Sequence, residues 1–261
     1  MTQTERRIQL IKALLAEDIQ YRTVEIPEDA REQKNLLRAL MNVRPPKPAS
    51  KEFLADQDAY LAAERDAAGV VEASSIPTVR GDARLAVWQG DITTLRADAI
   101  VNAANSGMRG CFQPLHSCID NIIHSKSGVQ LRLYCDGLMN RQGFEEPAGQ
   151  AKITPGFNLP CRYVLHTVGP IVGDCVTPRD RELLASCYRS CLEAAKQHGI
   201  RDIAFCCIST GEFHFPNDRA AEISVQTVRD YRAINKTNIQ VIFNVFKDVD
   251  YEIYQGLLTG N

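Results

Sequence analysis

Ala99-Ile100-Val101-Asn102-Ala103-Ala104-Asn105-Ser106 reads as a β-strand that runs into a turn. Its first half is apolar and partly β-branched, as suits a strand covered on both faces. Its second half is small and amidic. Asparagines close turns, and a side-chain amide can also donate to and accept from a sugar hydroxyl. Comparable strand runs lie at Leu85–Gln89, Gln150–Pro155, Arg162–Thr167, Asp202–Ile208 and Gln240–Val245. Helical patterns separate them at Ile119–Gln142, Asp180–His198, Asp218–Ile234 and Tyr251–Leu258. Asn217 or Asp218 can cap the third of these helices, with acid near its positive end. Strands alternating with helices predict a three-layer α/β/α domain over residues 81–261. Ligands of such sheets sit outside the carboxyl ends of the strands.

Residues 1–80 read differently, as an N-terminal helical extension. Ile8, Leu10, Ile11, Leu14 and Leu15 recur at helical spacing, and Leu36, Leu37, Leu40 and Met41 do so after Pro27-Glu28-Asp29. Arg44-Pro45-Pro46-Lys47-Pro48 cannot be helical and marks a connector. Ser50 is placed to cap a third helix carrying Phe53, Leu54, Tyr60 and Leu61. Such an extension serves either as a cap packed on the main domain or as a lid or partner surface.

The 261 residues are 44% hydrophobic and 24% charged, an ordinary globular composition. A formal net charge of −2 supplies no global field toward nucleic acid or an anionic membrane. No basic stripe is interleaved with aromatics, which argues against a nucleic-acid partner. No apolar run approaches a membrane span. The first seven residues, Met1-Thr2-Gln3-Thr4-Glu5-Arg6-Arg7, are unlike a signal peptide, so a cytoplasmic location is expected. Nine cysteines, an odd number, are then expected to be reduced thiols. Seven of them, Cys135, Cys161, Cys175, Cys187, Cys191, Cys206 and Cys207, read as small core residues.

Four loops fall at the strand ends. Gly90-Asp91-Ile92-Thr93 offers a carboxylate suited to an amino group or a ribose hydroxyl, or simply a solvated turn. Asn102 to Ser106 offers the amides already described. The third loop, Gly110-Cys111-Phe112-Gln113-Pro114-Leu115-His116-Ser117-Cys118, holds two thiols and an imidazole, the ligand types zinc prefers. Three protein ligands would leave a fourth place for water or substrate. The alternative is a pair of buried thiols beside a core histidine. The fourth loop, Ser209-Thr210-Gly211-Glu212-Phe213-His214-Phe215-Pro216, brings hydroxyls, a glycine and backbone amides to a helix start, a plausible cradle for phosphates. Phe213 and Phe215 are placed to close over a sugar. Glu212 opposes that reading unless its carboxylate points away.

Taken in order, Val87-Trp88-Gln89-Gly90-Asp91-Ile92-Thr93, Ala99 to Ser106, Val164-Leu165-His166-Thr167-Val168-Gly169-Pro170 and Ile208-Ser209-Thr210-Gly211 resemble the macrodomain family, the ADP-ribose-binding fold, over roughly residues 83 to 260. The resemblance implies a central mixed sheet between helical layers. Most members that remove ADP-ribose carry glycines after the Asn-Ala-Ala-Asn-Ser string. Here the Cys/His loop replaces them, followed by Ile119-Asp120-Asn121. That departure is similar to a zinc-dependent subclass of bacteria and some fungi, which also has an N-terminal helical extension.

The resemblance implies that Asp91 and the backbone of Ile92 read adenine. It implies that Asn105 faces the distal ribose, and that Gly211 wraps the diphosphate with its neighbours Ser209, Thr210, Glu212 and Phe213. Phe215 would pack on the ribose. Asn105 and Asp120 would be the catalytic pair, while Cys111, His116 and Cys118 would bind Zn2+. His124 and His166 align with structural positions. The implied reaction is removal of ADP-ribose from a mono-ADP-ribosylated protein, with an Asp or Glu ester as the expected linkage and a lipoyl-carrier protein as the suggested substrate. ADP-ribose would be the product. Alternatives are an ADP-ribose-binding reader without hydrolysis, an O-acetyl-ADP-ribose deacetylase, and a fold in which zinc is purely structural.

Overall fold

The computed structural model describes residues 1–259. Three helices come first, α1 (Gln3–Ala16), α2 (Ala30–Val43) and α3 (Lys51–Ala68). Each begins where a side chain satisfies its free amides. Thr2 and Glu5 form a capping box on α1, Asp29 accepts from Arg31 and Glu32 on α2, and Ser50 accepts from Phe53 on α3. Their apolar faces meet in a small core of their own, built from Leu10, Ile11, Leu14, Leu37, Leu40, Met41, Tyr60 and Leu61. Val129 of the main domain completes it. Phe53 and Leu54 pack at its edge.

Nine strands follow: β1 (Val71–Glu72), β2 (Thr78–Val79), β3 (Asp82–Gln89), β4 (Leu95–Arg96), β5 (Ala99–Ala104), β6 (Ala151–Pro155), β7 (Tyr163–Val168), β8 (Asp202–Phe205) and β9 (Gln240–Val245). Five further helices separate or follow them: α4 (Ile119–Ser127), α5 (Val129–Gln142), α6 (Pro178–Gln197), α7 (Asn217–Asn235) and α8 (Asp248–Thr259). β1 and β4 form a short parallel pair. The other seven strands form one sheet in the order β2-β3-β9-β8-β5-β7-β6. The five inner strands run parallel, and β2 and β6 pair antiparallel at the two edges. The sheet is therefore mixed. Residues 78–79, which the sequence reading assigns to the extension, already belong to it.

Helices flank this sheet. α4 packs on β5, α6 on β6 and β7, and α8 on β3 and β9. Ile100, Val101, Val164, Leu165, Ile203, Val241 and Ile242 are fully enclosed at its centre, as strands covered on both sides require. No helix among the described residues is long and apolar enough to cross a membrane.

Three local readings change. The expected strand Asp202–Ile208 stops at Phe205, the last residue paired with β9, and Cys206 to Ile208 leave the sheet. The expected helix Ile119–Gln142 is two helices. Gly128 divides them with φ +97° and ψ 173°, a region closed to other residues. The free amide of Val129 at the start of α5 is capped from the extension by Gln57 Oε1 at 2.9 Å. Finally, α7 starts after Pro216 with no side-chain cap, and Asn217 instead donates to Asp250.

A Cβ on residue 128 would also approach Gln57 and Gln130 to 2.6 Å. Gly128→Ala is expected to destabilise the chain by about 1–3 kcal/mol, read as a lower urea midpoint at unchanged slope.

Candidate active site

The carboxyl ends of β3, β5, β8 and β9 open into one cavity of about 580 Å³. This is where ligands bind in open parallel sheets. Gly90, Asp91 and Ile92 line it from the end of β3, and Ala103, Ala104 and Asn105 from β5. Cys111, His116 to Asp120 and Ile122 line it from the loop and first turn of α4. Cys206, Cys207 and Ser209 to Phe213 enter after β8. Asn244, Phe246, Lys247 and Asp250 enter from the end of β9 and α8.

Asp91 is exposed and caps a short turn, with Oδ1 accepting from Thr93 N at 2.9 Å and Thr93 Oγ1 at 2.6 Å. The turn holds one carboxylate oxygen and leaves the other for a ligand. Ile92 beside it is buried.

Asp120 lies in the first turn of α4 and is almost wholly buried. Its Oδ1 accepts from Asn102 Nδ2 at 2.8 Å and its Oδ2 from Asn105 Nδ2 at 3.2 Å. Burial pushes this carboxyl up to about 6, against the opposing effects of the Asn102 hydrogen bond and the Arg132 charge. Asn102 is held in turn by His166, whose Nδ1 lies 3.1 Å from Asn102 Nδ2 and whose Nε2 lies 3.0 Å from Thr154 Oγ1. Burial drives His166 down to about 3, so its ring is neutral. An amide donating to Nδ1 leaves the ring proton on Nε2, facing Thr154. The line Thr154–His166–Asn102–Asp120 therefore sets the carboxylate from below. His166 is buried with partners on both ring nitrogens. His124 is also buried and neutral, with Nε2 3.6 Å from Asp120 Oδ1.

The Cys/His loop folds over this carboxylate. Gly110, at φ +81°, lies against the His124 ring, where a Cβ would approach to 2.7 Å. Cys118 caps α4, its Sγ accepting from Asn121 N at 3.4 Å. Cys111 Sγ stands 3.7 Å from His116 Nδ1. The donor atoms of Cys111, His116 and Cys118 all lie within 4.8 Å of one another. Tetrahedral zinc, with bonds of about 2.3 Å to sulfur and 2.0 Å to nitrogen, separates its ligand atoms by roughly 3.5–3.8 Å. The donor types and spacing suit such an ion. Burial pushes the Cys118 thiol up to about 12, with Cys111 adding to the rise, a cost that a divalent cation would reverse. His124, Cys135 and His166 form a second cluster of donor atoms, fully buried. There both His166 nitrogens already have partners.

The loop after β8 is closed by Phe215 N to Ser209 O at 2.9 Å and His214 N to Gly211 O at 3.1 Å. Among the described residues, the amides of Gly211, Glu212 and Phe213 take no part in its closure, so they are available to an anion. Glu212 does not point into this cradle. Its Oε1 lies 3.6 Å from His116 Nε2, which removes the objection to a phosphate site. Nδ1 of the same ring faces Cys111. An imidazole held between a carboxylate and a metal position is a familiar outer-shell arrangement.

The structure thus brings together Asp91, Ile92, Asn105, Asp120, the Cys/His loop and Ser209 to Phe213. It does not bring Phe215, which is 1% exposed in the main core, beneath the loop rather than on the cavity. Phe246 joins Phe213 on the wall instead. Cys207 packs against the core while also lining the cavity, and Cys175 is exposed rather than the core residue expected. Asn244, Phe246, Lys247 and Asp250 escaped sequence reasoning. Their place at the end of a predicted parallel strand was the available signal.

Residues 101–224 match the family described as Macro domain. The chain is 56% identical over 261 residues to the protein-ADP-ribose hydrolase of Treponema medium, covering 99% of this chain and all of that protein. It is 49% identical over 231 residues to the protein-ADP-ribose hydrolase of Staphylococcus aureus strain MSSA476, covering 88% and 86%. Among solved structures, the Oceanobacillus iheyensis macrodomain with ADP superposes with a TM-score of 0.61 at 37% identity, covering 67% of this chain and 90% of that one. The chain belongs to the macrodomain family, with a three-helix extension ahead of the family fold.

Ser209 takes a left-handed φ of +67° and sits against Gly169, where a Cβ would fall 2.0 Å from Ser209 Oγ. Gly169→Ala should displace the Ser209–Phe213 loop and lower stability by about 1–3 kcal/mol. Denaturant unfolding, with faster hydrogen exchange in that loop, is the check.

Proposed function

We propose that this chain is a zinc-dependent protein-ADP-ribose hydrolase that releases ADP-ribose from mono-ADP-ribosylated protein, with Asp or Glu esters as the preferred linkage. One observation carries the reading: the Asn105–Asp120 pair and the Cys111–His116–Cys118 cluster line the same cavity, beside a loop with free amides. The names of the relatives support the class of reaction.

In this reading Asp91 and the Ile92 backbone take adenine, the amides of Gly211 to Phe213 take the diphosphate, and Phe213 and Phe246 flank the sugars. The distal ribose then reaches Asn105 and Asp120. Asn105 Nδ2 is already committed to Asp120 and Gly110 O, so its Oδ1 is the atom that accepts a ribose hydroxyl. Asp120, held in place from two sides, accepts a proton from water as water adds to the ester linkage. The link to the protein breaks, the proton passes to the departing group, and free ADP-ribose and an unmodified side chain leave. Zinc, when held by Cys111, His116 and Cys118, would supply positive charge to orient an oxygen of the substrate or water. Two thiolates balance its charge, which favours orientation over strong acidity. Lipoyl-carrier protein is the first substrate to try. Nine free thiols, one of them exposed, suit a reducing cytoplasm.

The deciding experiment incubates a mono-ADP-ribosylated protein with the chain, with and without chelator. Release that chelator abolishes supports the zinc-dependent hydrolase. Binding without release would make the chain a reader, and release that chelator spares would remove the metal from the reaction. Cys111→Ala and Cys118→Ala are expected to lose zinc and activity together while circular dichroism is unchanged. Full zinc in both variants would refute the ligand assignment. Asp91→Ala is expected to weaken ADP-ribose binding by about 1–3 kcal/mol in calorimetry.

A further inference from the structure

The Cys/His loop has little backbone bonding of its own. Within residues 111–118 the one internal backbone hydrogen bond joins His116 N to Gln113 O at 3.3 Å, and Leu115 holds a left-handed φ of +57°. Something else must hold it in shape. Two side chains of the extension grip its backbone, together with Asn121 and Arg132 of the main domain. Arg38 Nη2 donates to His116 O at 2.6 Å and to Asn121 Oδ1 at 2.8 Å. Asn42 Oδ1 accepts from Leu115 N at 3.0 Å, and Asn42 Nδ2 donates to Ser125 Oγ at 2.8 Å. Asn121, braced by Arg38, donates to Gln113 O at 2.8 Å and Cys111 O at 3.4 Å.

Arg38 and Asn42 are one turn apart on α2, so one face of that helix reads the loop. A second tie comes from Arg132, which is buried. Its Nη1 donates to Met41 O, Asn42 O and Arg44 O at the end of α2, while Nη2 donates to Cys111 O at 3.3 Å. A guanidinium at a helix C-terminus satisfies the last carbonyls and suits the dipole there. The same cation covers the Phe112 ring at 4.1 Å.

We propose that α2 of the extension is the scaffold of the Cys111–Cys118 loop, and that Arg38 and Asn42 are positioning residues acting through His116 and Leu115. The extension is then a working part of the site rather than a cap or a lid. Its consequence for metal affinity rests on the zinc reading above, but its effect on loop order does not.

The test uses the full chain as wild type, Arg38→Ala, Asn42→Ala, Arg38→Lys and Gln9→Ala. Gln9 bonds Asp56 inside the extension and serves as control. Hydrogen exchange at the Leu115 and His116 amides is measured with chelator present. Zinc affinity is measured by competition, and the thiolate absorption of the cobalt(II) form is recorded. Arg38→Ala and Asn42→Ala are expected to speed exchange in the loop at least tenfold and weaken zinc by roughly 10–100-fold, with an altered cobalt spectrum. Exchange around Thr93 and the Gln9→Ala control should stay at wild-type values, and Arg38→Lys should restore part of the loss.

Folded Arg38→Ala and Asn42→Ala chains with wild-type loop exchange would overturn the proposal. So would a wild-type loop that already exchanges as fast as the variants. If Arg38→Ala fails to fold, Arg38→Lys and Asn42→Ala are held to the same criterion. If the wild type binds no zinc, the metal reading fails by itself and the exchange comparison still decides the role of α2.

Discussion

Parallel pairing of β5 with β7 on one side and β8 on the other is the constraint on which the rest depends. It puts the turn after Ala104 and the loop after Phe205 at the same edge of the sheet, with the ends of β3 and β9 beside them. The turn after Ala104 is small and amidic, whereas the ends of β8 and β9 bring Phe213 and Phe246 to the cavity wall. The polar side chains buried on the strands include Thr154 on β6, His166 and Thr167 on β7 and Asn102 on β5, and the Asn102 amide is the connection between the sheet and the Asp120 carboxylate. A buried carboxylate is costly unless it is met by donors. Two asparagine amides meet it, one from the strand and one from the turn that follows.

The Cys/His loop departs from the way the other walls are built. The turns around Asp91 and Ser209 are held by hydrogen bonds within the sheet domain, whereas the loop before α4 is also gripped by side chains some seventy to eighty residues earlier, on α2. A loop that presents two thiols and a ring to one point must have its backbone fixed, since a small displacement spoils tetrahedral geometry. The extension has its own apolar core, and α2 is packed into it through Leu37, Leu40 and Met41. Glu212 adds a contact across the cavity to His116. The Cys/His cluster and the loop after β8 therefore meet at this contact, although they are about a hundred residues apart in the chain.

Much of this was legible beforehand. Six of the strands and the three extension helices follow directly from apolar periodicity, and Asp29 and Ser50 announce their helices by capping chemistry. The errors have physical causes. Gly128 breaks one long amphipathic pattern because its backbone conformation, invisible in periodicity, is demanded by packing against Gln57. The run Asp202–Ile208 is apolar throughout, yet its last residues turn out of the sheet because Phe205 is the final residue that β9 pairs. Phe215 looked like its neighbour Phe213, and only burial separates the core ring from the cavity ring.

By itself the sequence determined the alternation of strand and helix, the strand ends that carry polar turns, and the residue types able to bind a cation or an anion. Local patterning suffices for these, since periodicity, caps and side-chain chemistry act over a few residues. Tertiary structure alone decided that Asp120 is buried between two amides, that Glu212 turns toward His116, and that α2 contacts the thiol loop. Those outcomes depend on contacts between distant segments, whose energies are set by burial and direction rather than by neighbours in the chain.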